Sequence, residues 1–189
     1  MKDYHSQKGK RRKFALFIID VQEKIIKPIK NKVTIINNTC NLLKAYEILE
    51  ENIYLSEQNP SKLGKTINDL VPNVKFKVIE KMAFSLADKE LIIELASKGI
   101  KNLIICGFET HICVQQSVLD FLKKNFEVYI ISDCMSSRNL SDHNIAIQRM
   151  ISKGATIASS ESMIFELCQT ASKEEFKEIS NIIKNKKIK

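Results

Sequence analysis

Phe14-Ala15-Leu16-Phe17-Ile18-Ile19-Asp20 (FALFIID) is an apolar run that ends directly on a carboxylate. Such a run, too short for a helix and without helical spacing, reads as a strand buried on both faces, with its charged end at the edge of a sheet. Ile53–Ser56 predicts a second strand, Lys77–Glu80 a weaker third, and Leu103–Cys106 (LIIC) a fourth closed by Gly107. Val128–Ser132 and Ala155–Ala158 predict the fifth and sixth. Helix-length segments separate them. From Lys32 to about Glu50, Val33, Ile36, Cys40, Leu43 and Ile48 recur at roughly helical spacing. Asp88–Ser97 is helical, with Gly99 in the place of a C-terminal cap. Helices are also expected over Ile112–Lys124, Asp142–Lys153, Ser160–Gln169 and Lys173–Lys184, and Glu57–Lys65, with Pro60 and Gly64, reads as a polar loop.

Doubly buried strands that alternate with helices imply parallel β-α-β units, and right-handed crossovers put helices on both sides of one open sheet. The expected fold is α/β: three αβα layers around an open six-stranded parallel sheet, Rossmann-like, in the order 3-2-1-4-5-6. In such folds the chemistry lies beyond the carboxyl ends of the strands. The residues just after Ile19, Glu80 and Gly107 therefore carry the functional question.

The chain has 189 residues, 44% hydrophobic and 28% charged, which suits one globular domain over 14–184 with tails at 1–13 and 185–189. No apolar run approaches the roughly 18–20 residues of a membrane-spanning helix. The net charge of +8 suggests a nucleic-acid partner until it is located. Residues 1–13 carry six basic groups and one acid, and residues 184–189 carry four lysines. The remaining twenty basic and twenty-one acidic groups leave the body at −1. The excess is in the ends, so solvated tails are expected, with a tail touching a polyanion as the alternative.

Five cysteines, at 40, 106, 113, 134 and 168, form an odd set without C-x-x-C, the pattern of a reduced intracellular protein. Cytoplasmic localisation follows as the expectation. The basic start leaves a mitochondrial presequence open, with Asp3 and the strand beginning at Phe14 against it. The three histidines (5, 111 and 143) are too scattered for a finger-type zinc site. No G-x-G-x-x-G, P-loop or G-x-S-x-G occurs.

At the strand ends stand Asp20, Lys81 and Cys113. A carboxylate after an apolar run is either a ligand for backbone amides or a working acid, and a lone lysine is more often solvated. Cys113, near a helix start in Gly107-Phe108-Glu109-Thr110-His111-Ile112-Cys113-Val114, is placed where unpaired N–H groups favour a thiolate and can hold an oxyanion. Cys106 reads as strand core, Cys40 and Cys168 as helix core. Cys134, just after the fifth strand, has a smaller chance of reaching the pocket.

Asp20 in IIDVQ, Lys81 in EKMAFS and Cys113 in GFETHICV resemble the Asp–Lys–Cys triad of the isochorismatase-like cysteine hydrolases, the superfamily that includes nicotinamidases. Leu55-Ser56-Glu57-Gln58-Asn59-Pro60, Leu63-Gly64, Ser132-Asp133-Cys134-Met135-Ser136-Ser137-Arg138, Ser159-Ser160-Glu161 and Phe176-Lys177-Glu178-Ile179 are similar to its isochorismatase domain-containing branch. The GFETHICV and SSR blocks carry most of the specificity. The resemblance implies that Asp20 takes the thiol proton, Cys113 attacks a carbonyl-type carbon and Lys81 holds Asp20. It also implies a cis Phe108–Glu109 peptide and an oxyanion hole formed by the N–H groups of Glu109 and Cys113. Gln22, Gln58, Phe84, Thr110 and His111 are the expected pocket residues. His111 stands where many members carry Asp, and both a pocket role and a bond to a neighbouring loop remain open.

Nicotinamidases bind a metal through Asp-x-His after the second strand. Here that place holds Ser56-Glu57-Gln58, and no histidine occurs between residues 6 and 110, so no metal, no cofactor and no nicotinamide substrate are expected. The family name does not supply the substrate either. The expected function is metal-independent hydrolysis of a small-molecule C–N (amide) or C–O bond through a thioester-type intermediate. The alternatives are a catalytically weak binding protein and a ribonuclease-type member that contacts RNA through its tails. The resemblance further implies a homo-oligomer, with Arg138 and the last two helices as candidate interface. Loops 22–30, 57–66 and 134–140 are expected to select the substrate.

Overall fold

β1 (Phe14–Ile19) buries all of its residues, because parallel partners flank it on both sides and helices cover both faces. The computed structural model describes residues 12–49 and 52–184, so of the basic ends only Arg12, Lys13 and Lys184 fall within them. With β2 (Ile53–Gln58), β3 (Phe76–Lys81), β4 (Asn102–Gly107), β5 (Glu127–Met135) and β6 (Thr156–Ala158), β1 forms a parallel sheet in the expected order 3-2-1-4-5-6. The helices are α1 (Lys32–Leu49), α2 (Pro60–Leu63), α3 (Lys89–Ser97), α4 (Gln115–Lys123), α5 (Leu140–Ser152), α6 (Ser160–Cys168) and α7 (Phe176–Lys184).

The period-two alternation of strand side chains divides the core into two layers. Leu16, Ile18, Ile104 and Ile131 pack with Leu42 and Tyr46 of α1, Met163 and Leu167 of α6, and Ile179 of α7. Ala15, Phe17, Ile19, Ile105 and Ile130 pack on the other side with Leu91 and Leu95 of α3, Val118 and Phe121 of α4, and Met150 of α5. Each buried Leu or Ile side chain contributes about 1.5–3 kcal/mol relative to exposure. Asp88 caps α3 by accepting from the Leu91 N–H at 2.7 Å, and Ser159 with Ser162 closes a capping box on α6.

Four local expectations give way. The helix expected from Ile112 begins instead as a π-helical turn over Thr110–Val114, and α4 follows it. β3 is not buried on both faces: it is an edge strand, and Phe76 and Val78 stay 36% and 41% exposed. The polar loop after the second strand is shorter than expected, because β2 runs on to Gln58 and Pro60–Leu63 makes a helical turn. β5 continues past Ser132 to Met135, and a register shift between Ile105 and Gly107 brings Met135 beside Gly107. That extension delivers residues 136–138 to the site.

Candidate active site

From β1 the sheet grows one way through β2 to β3, and from β4 the other way to β6, so the winding reverses between β1 and β4. Crossover connections leave the carboxyl ends there in opposite directions and open a crevice between them. Asp20 is the residue just past β1 on that edge, fully buried, with φ of 51°, a left-handed conformation that Asp tolerates better than most residues. β4 approaches it closely because Gly107 has φ of 119° and no side chain; a Cβ there would sit 2.1 Å from the Ile19 carbonyl oxygen. The Phe108 N–H donates to that same oxygen at 2.9 Å. The Phe108–Glu109 peptide is cis.

Both oxygens of Asp20 are engaged. Ser56 Oγ on β2 donates to Oδ1 at 2.6 Å, and Lys81 Nζ at the end of β3 donates to Oδ2 at 2.7 Å. Lys81 comes from two strands away, roughly 10 Å at ordinary sheet spacing, a reach that needs a long side chain. Its ammonium also donates to Gln58 Oε1 at 3.0 Å, and the Gln58 amide donates to the Met82 carbonyl at 2.8 Å. The lysine that sequence alone reads as solvated has a side chain only 7% exposed.

Cys113, in the π-helical turn, is 5% exposed, and the charges of Asp20 and Lys81 both act on its thiol. Its thiol is pushed up to about 12, first by burial and then by the Asp20 charge, with Lys81 opposing. This corrects the expectation that the helix start favours a thiolate. The helix-end field is confined to the first turn, and desolvation plus an adjacent carboxylate outweigh it.

The other expected site residues take different places. Gln22 is buried, and its amide donates to the Gln58 and Gly64 carbonyls at 3.1 and 2.6 Å while accepting from the Gln58 N–H at 2.7 Å, so it clamps the loop after β2. Gln58 is spent on Lys81 and Met82. Phe84 is 50% exposed on the segment after β3. Thr110 is buried, with its hydroxyl 2.9 Å from His143 Nδ1. His111 Nδ1 lies 2.9 Å from Ser137 Oγ, the neighbouring-loop bond. Cys134 does not reach the pocket; it is buried in the core with Cys106 and Cys168. Cys40 is half-buried.

Ser56, the serine backbone at 136 and His143 were not singled out by sequence reasoning. For Ser56 a signal existed, a hydroxyl ending an apolar strand level with Asp20. For His143 there was none, since only folding brings α5 to the turn after β4. A hollow of about 360 Å³ lined by Asn59, Pro60, Ser61, Glu80, Lys81 and Met82 adjoins Lys81. A larger one of about 700 Å³ lies at the opposite ends of β2 and β3, between Tyr54, Phe76 and Lys98. The larger hollow is away from the reactive groups, so strand-end placement, not size, identifies the site. Among the described residues, no group of three His, Cys, Asp or Glu side chains could hold a metal ion, and no helix is long and apolar enough to cross a membrane.

The isochorismatase domain model matches residues 14–162. Isochorismatase family protein 1B of Dictyostelium discoideum is 37% identical over 179 residues, covering 92% of this chain and 87% of that protein. The MAR1 ribonuclease structure from Caenorhabditis elegans superposes with a TM-score of 0.86 at 29% identity, covering 96% of this chain and 95% of that one. The YcaC gene product of Escherichia coli, an octameric hydrolase of unknown specificity, shares the fold with a TM-score of 0.83 at 19% identity, covering 96% and 93%. The strand order, the reversal point and these similarities agree, and the chain belongs to the isochorismatase domain family of isochorismatase-like hydrolases.

Proposed function

We propose that the protein is a metal-independent cysteine hydrolase that cleaves a small-molecule C–N bond of amide type, or a C–O bond, through Asp20, Lys81 and Cys113. The observation that carries this reading is the buried Asp20 carboxylate, bonded to Lys81 at 2.7 Å and close enough for its charge to act on the Cys113 thiol. Asp20 takes the thiol proton as sulfur bonds to the carbonyl carbon. The N–H groups of Glu109 and Cys113 stabilise the oxyanion. Collapse expels the amine or alcohol, which takes the proton from Asp20 and leaves a thioester on Cys113. Water then attacks, giving its proton to Asp20, and the second collapse releases the carboxylic acid and returns the proton to sulfur. Lys81 holds the Asp20 carboxylate in register through its bond to Oδ2. The domain spans 14–184 in this reading, and assembly into a homo-oligomer is part of it, in line with the octameric E. coli protein of the same fold.

The test is trapping and labelling. Cys113→Ala is expected to abolish hydrolysis in a screen of small amides and esters while thermal unfolding stays cooperative. Mass spectrometry is expected to find acyl adducts and first-equivalent alkylation on Cys113. Preferential labelling of Cys134 or Cys168 overturns the assignment. A second reading, contact with RNA, is favoured by the similarity to the MAR1 ribonuclease and by the basic ends of the chain.

A further inference from the structure

The turn that carries Cys113 is held from outside by a separate part of the chain. Glu109, Thr110 and His111 are each bound by the segment that follows β5. The Arg138 N–H donates to Glu109 Oε2 at 3.0 Å, with the guanidinium 3.7 Å from Oε1. The Thr110 N–H donates to the Ser136 carbonyl at 3.0 Å, and His111 Nδ1 is 2.9 Å from Ser137 Oγ. Most of these bonds reach the partly exposed side of the turn. One reaches the buried side, that between Thr110 Oγ1 and His143 Nδ1 at 2.9 Å.

Thr110 is fully buried, so its hydroxyl needs a partner inside the protein, and His143 is the partner it has. Thr110 is the first residue of the π-helical turn and Cys113 the fourth, so rotation at Thr110 carries the thiol with it. π-Helical turns are uncommon and depend on their surroundings, which makes an external tie at the first residue consequential. His143 is itself fixed. It lies in the first turn of α5, its N–H donates to the Asn139 carbonyl at 3.2 Å, and the Asn139 side chain caps the helix by accepting from Ser141 N–H at 3.2 Å. Burial lowers its pKa from the usual 6.5, which keeps the imidazole neutral and able to accept from a hydroxyl.

We propose that His143 is a positioning residue for Cys113: its bond to Thr110 sets the orientation of the turn and so the alignment of the thiol with Asp20. This rests on Cys113 being the nucleophile, and the experiment separates the two claims. The full-length chain is treated with iodoacetamide at neutral pH, and the rate at each cysteine is followed by peptide mass spectrometry. In the unaltered protein Cys113 is expected to react faster than half-buried Cys40, because in the proposed mechanism Asp20 takes its proton as sulfur attacks, which offsets the burial of the thiol. If it does not, the reading of Cys113 as nucleophile fails.

His143→Leu and Thr110→Val are each expected to slow Cys113 by roughly ten- to a hundredfold, the scale of an ångström-level misplacement. The double variant is expected to be no slower than either single, because both remove the same bond. His143→Gln, which keeps a hydrogen-bonding group, and Thr110→Ser are expected to recover most of the rate. Cys106, Cys134 and Cys168 report on folding. A merely structural role would speed their labelling, whereas loss of positioning leaves them unchanged. A fast Cys113 with the same rate in both apolar variants, or accelerated labelling of the buried cysteines alone, overturns the inference.

Discussion

Asp20 accepts from Ser56 on one oxygen and from Lys81 on the other, so its negative charge is compensated although no part of the residue meets solvent. Removing one partner of such a pair leaves an uncompensated buried charge. Lys81→Met is therefore expected to lower stability by about 3–5 kcal/mol in urea unfolding. The same change removes the cation that opposes burial at Cys113, so the thiol moves further above its ordinary 9.0. The folded protein keeps a Cys113 proton that the unfolded chain gives up above about pH 9, so this contribution to stability is complete below that pH and is lost as pH rises towards about 12. In Lys81→Met the window extends upward, and the pH–rate profile for Cys113 alkylation is expected to shift to higher pH with a slower rate at neutrality. Asp20, Lys81 and Cys113 were each legible as strand-end residues. Gln22 and Gln58 were not legible as clamps, because a glutamine in a sequence does not show whether its amide meets ligand or backbone.

At the scale of elements, β1 and β4 must end almost in contact, and Gly107 makes that possible. A Cβ would meet the Ile19 oxygen, nitrogen and carbon at 2.1, 2.6 and 2.8 Å, all of them backbone atoms that cannot swing aside. The positive φ adds strain for any L side chain. Gly107→Ala is expected to cost about 3 kcal/mol or more, measured by denaturant midpoint, and to slow Cys113 labelling in whatever fraction folds. The periodic patterns located every strand and every long helix, because burial imposes them whatever the partner. They misplaced the start of the helix that follows β4. Apolar spacing begins at Ile112, whereas the backbone turns in at Thr110 under bonds from Ser136 and His143. Those partners lie 26 and 33 residues away, outside any local window.

For the whole molecule, the charge is divided between ends and body. Residues 1–11 and 185–189 each carry a net +3 of the total +8, leaving +2 on residues 12–184. If the second reading holds, RNA binding by the full chain is steep in salt, about 0.7 log units per log unit of salt for each single-strand phosphate contact, and is lost on removing both ends. Filter binding across a salt series measures this; salt-insensitive binding by residues 12–184 would place an RNA surface on the body instead. The chain by itself determined the α/β class with an open parallel sheet and the three strand-end residues, since doubly buried strands, right-handed crossovers and charges after apolar runs follow from local burial and chirality. The strand order was an expectation by likeness to Rossmann-type folds. Only the tertiary structure decided that Ser56 joins Lys81 on Asp20, that burial pushes the Cys113 thiol up, and that His143 meets Thr110. Those depend on which groups meet in a desolvated crevice, where a few ångströms set both the strength of a hydrogen bond and the energy of a charge.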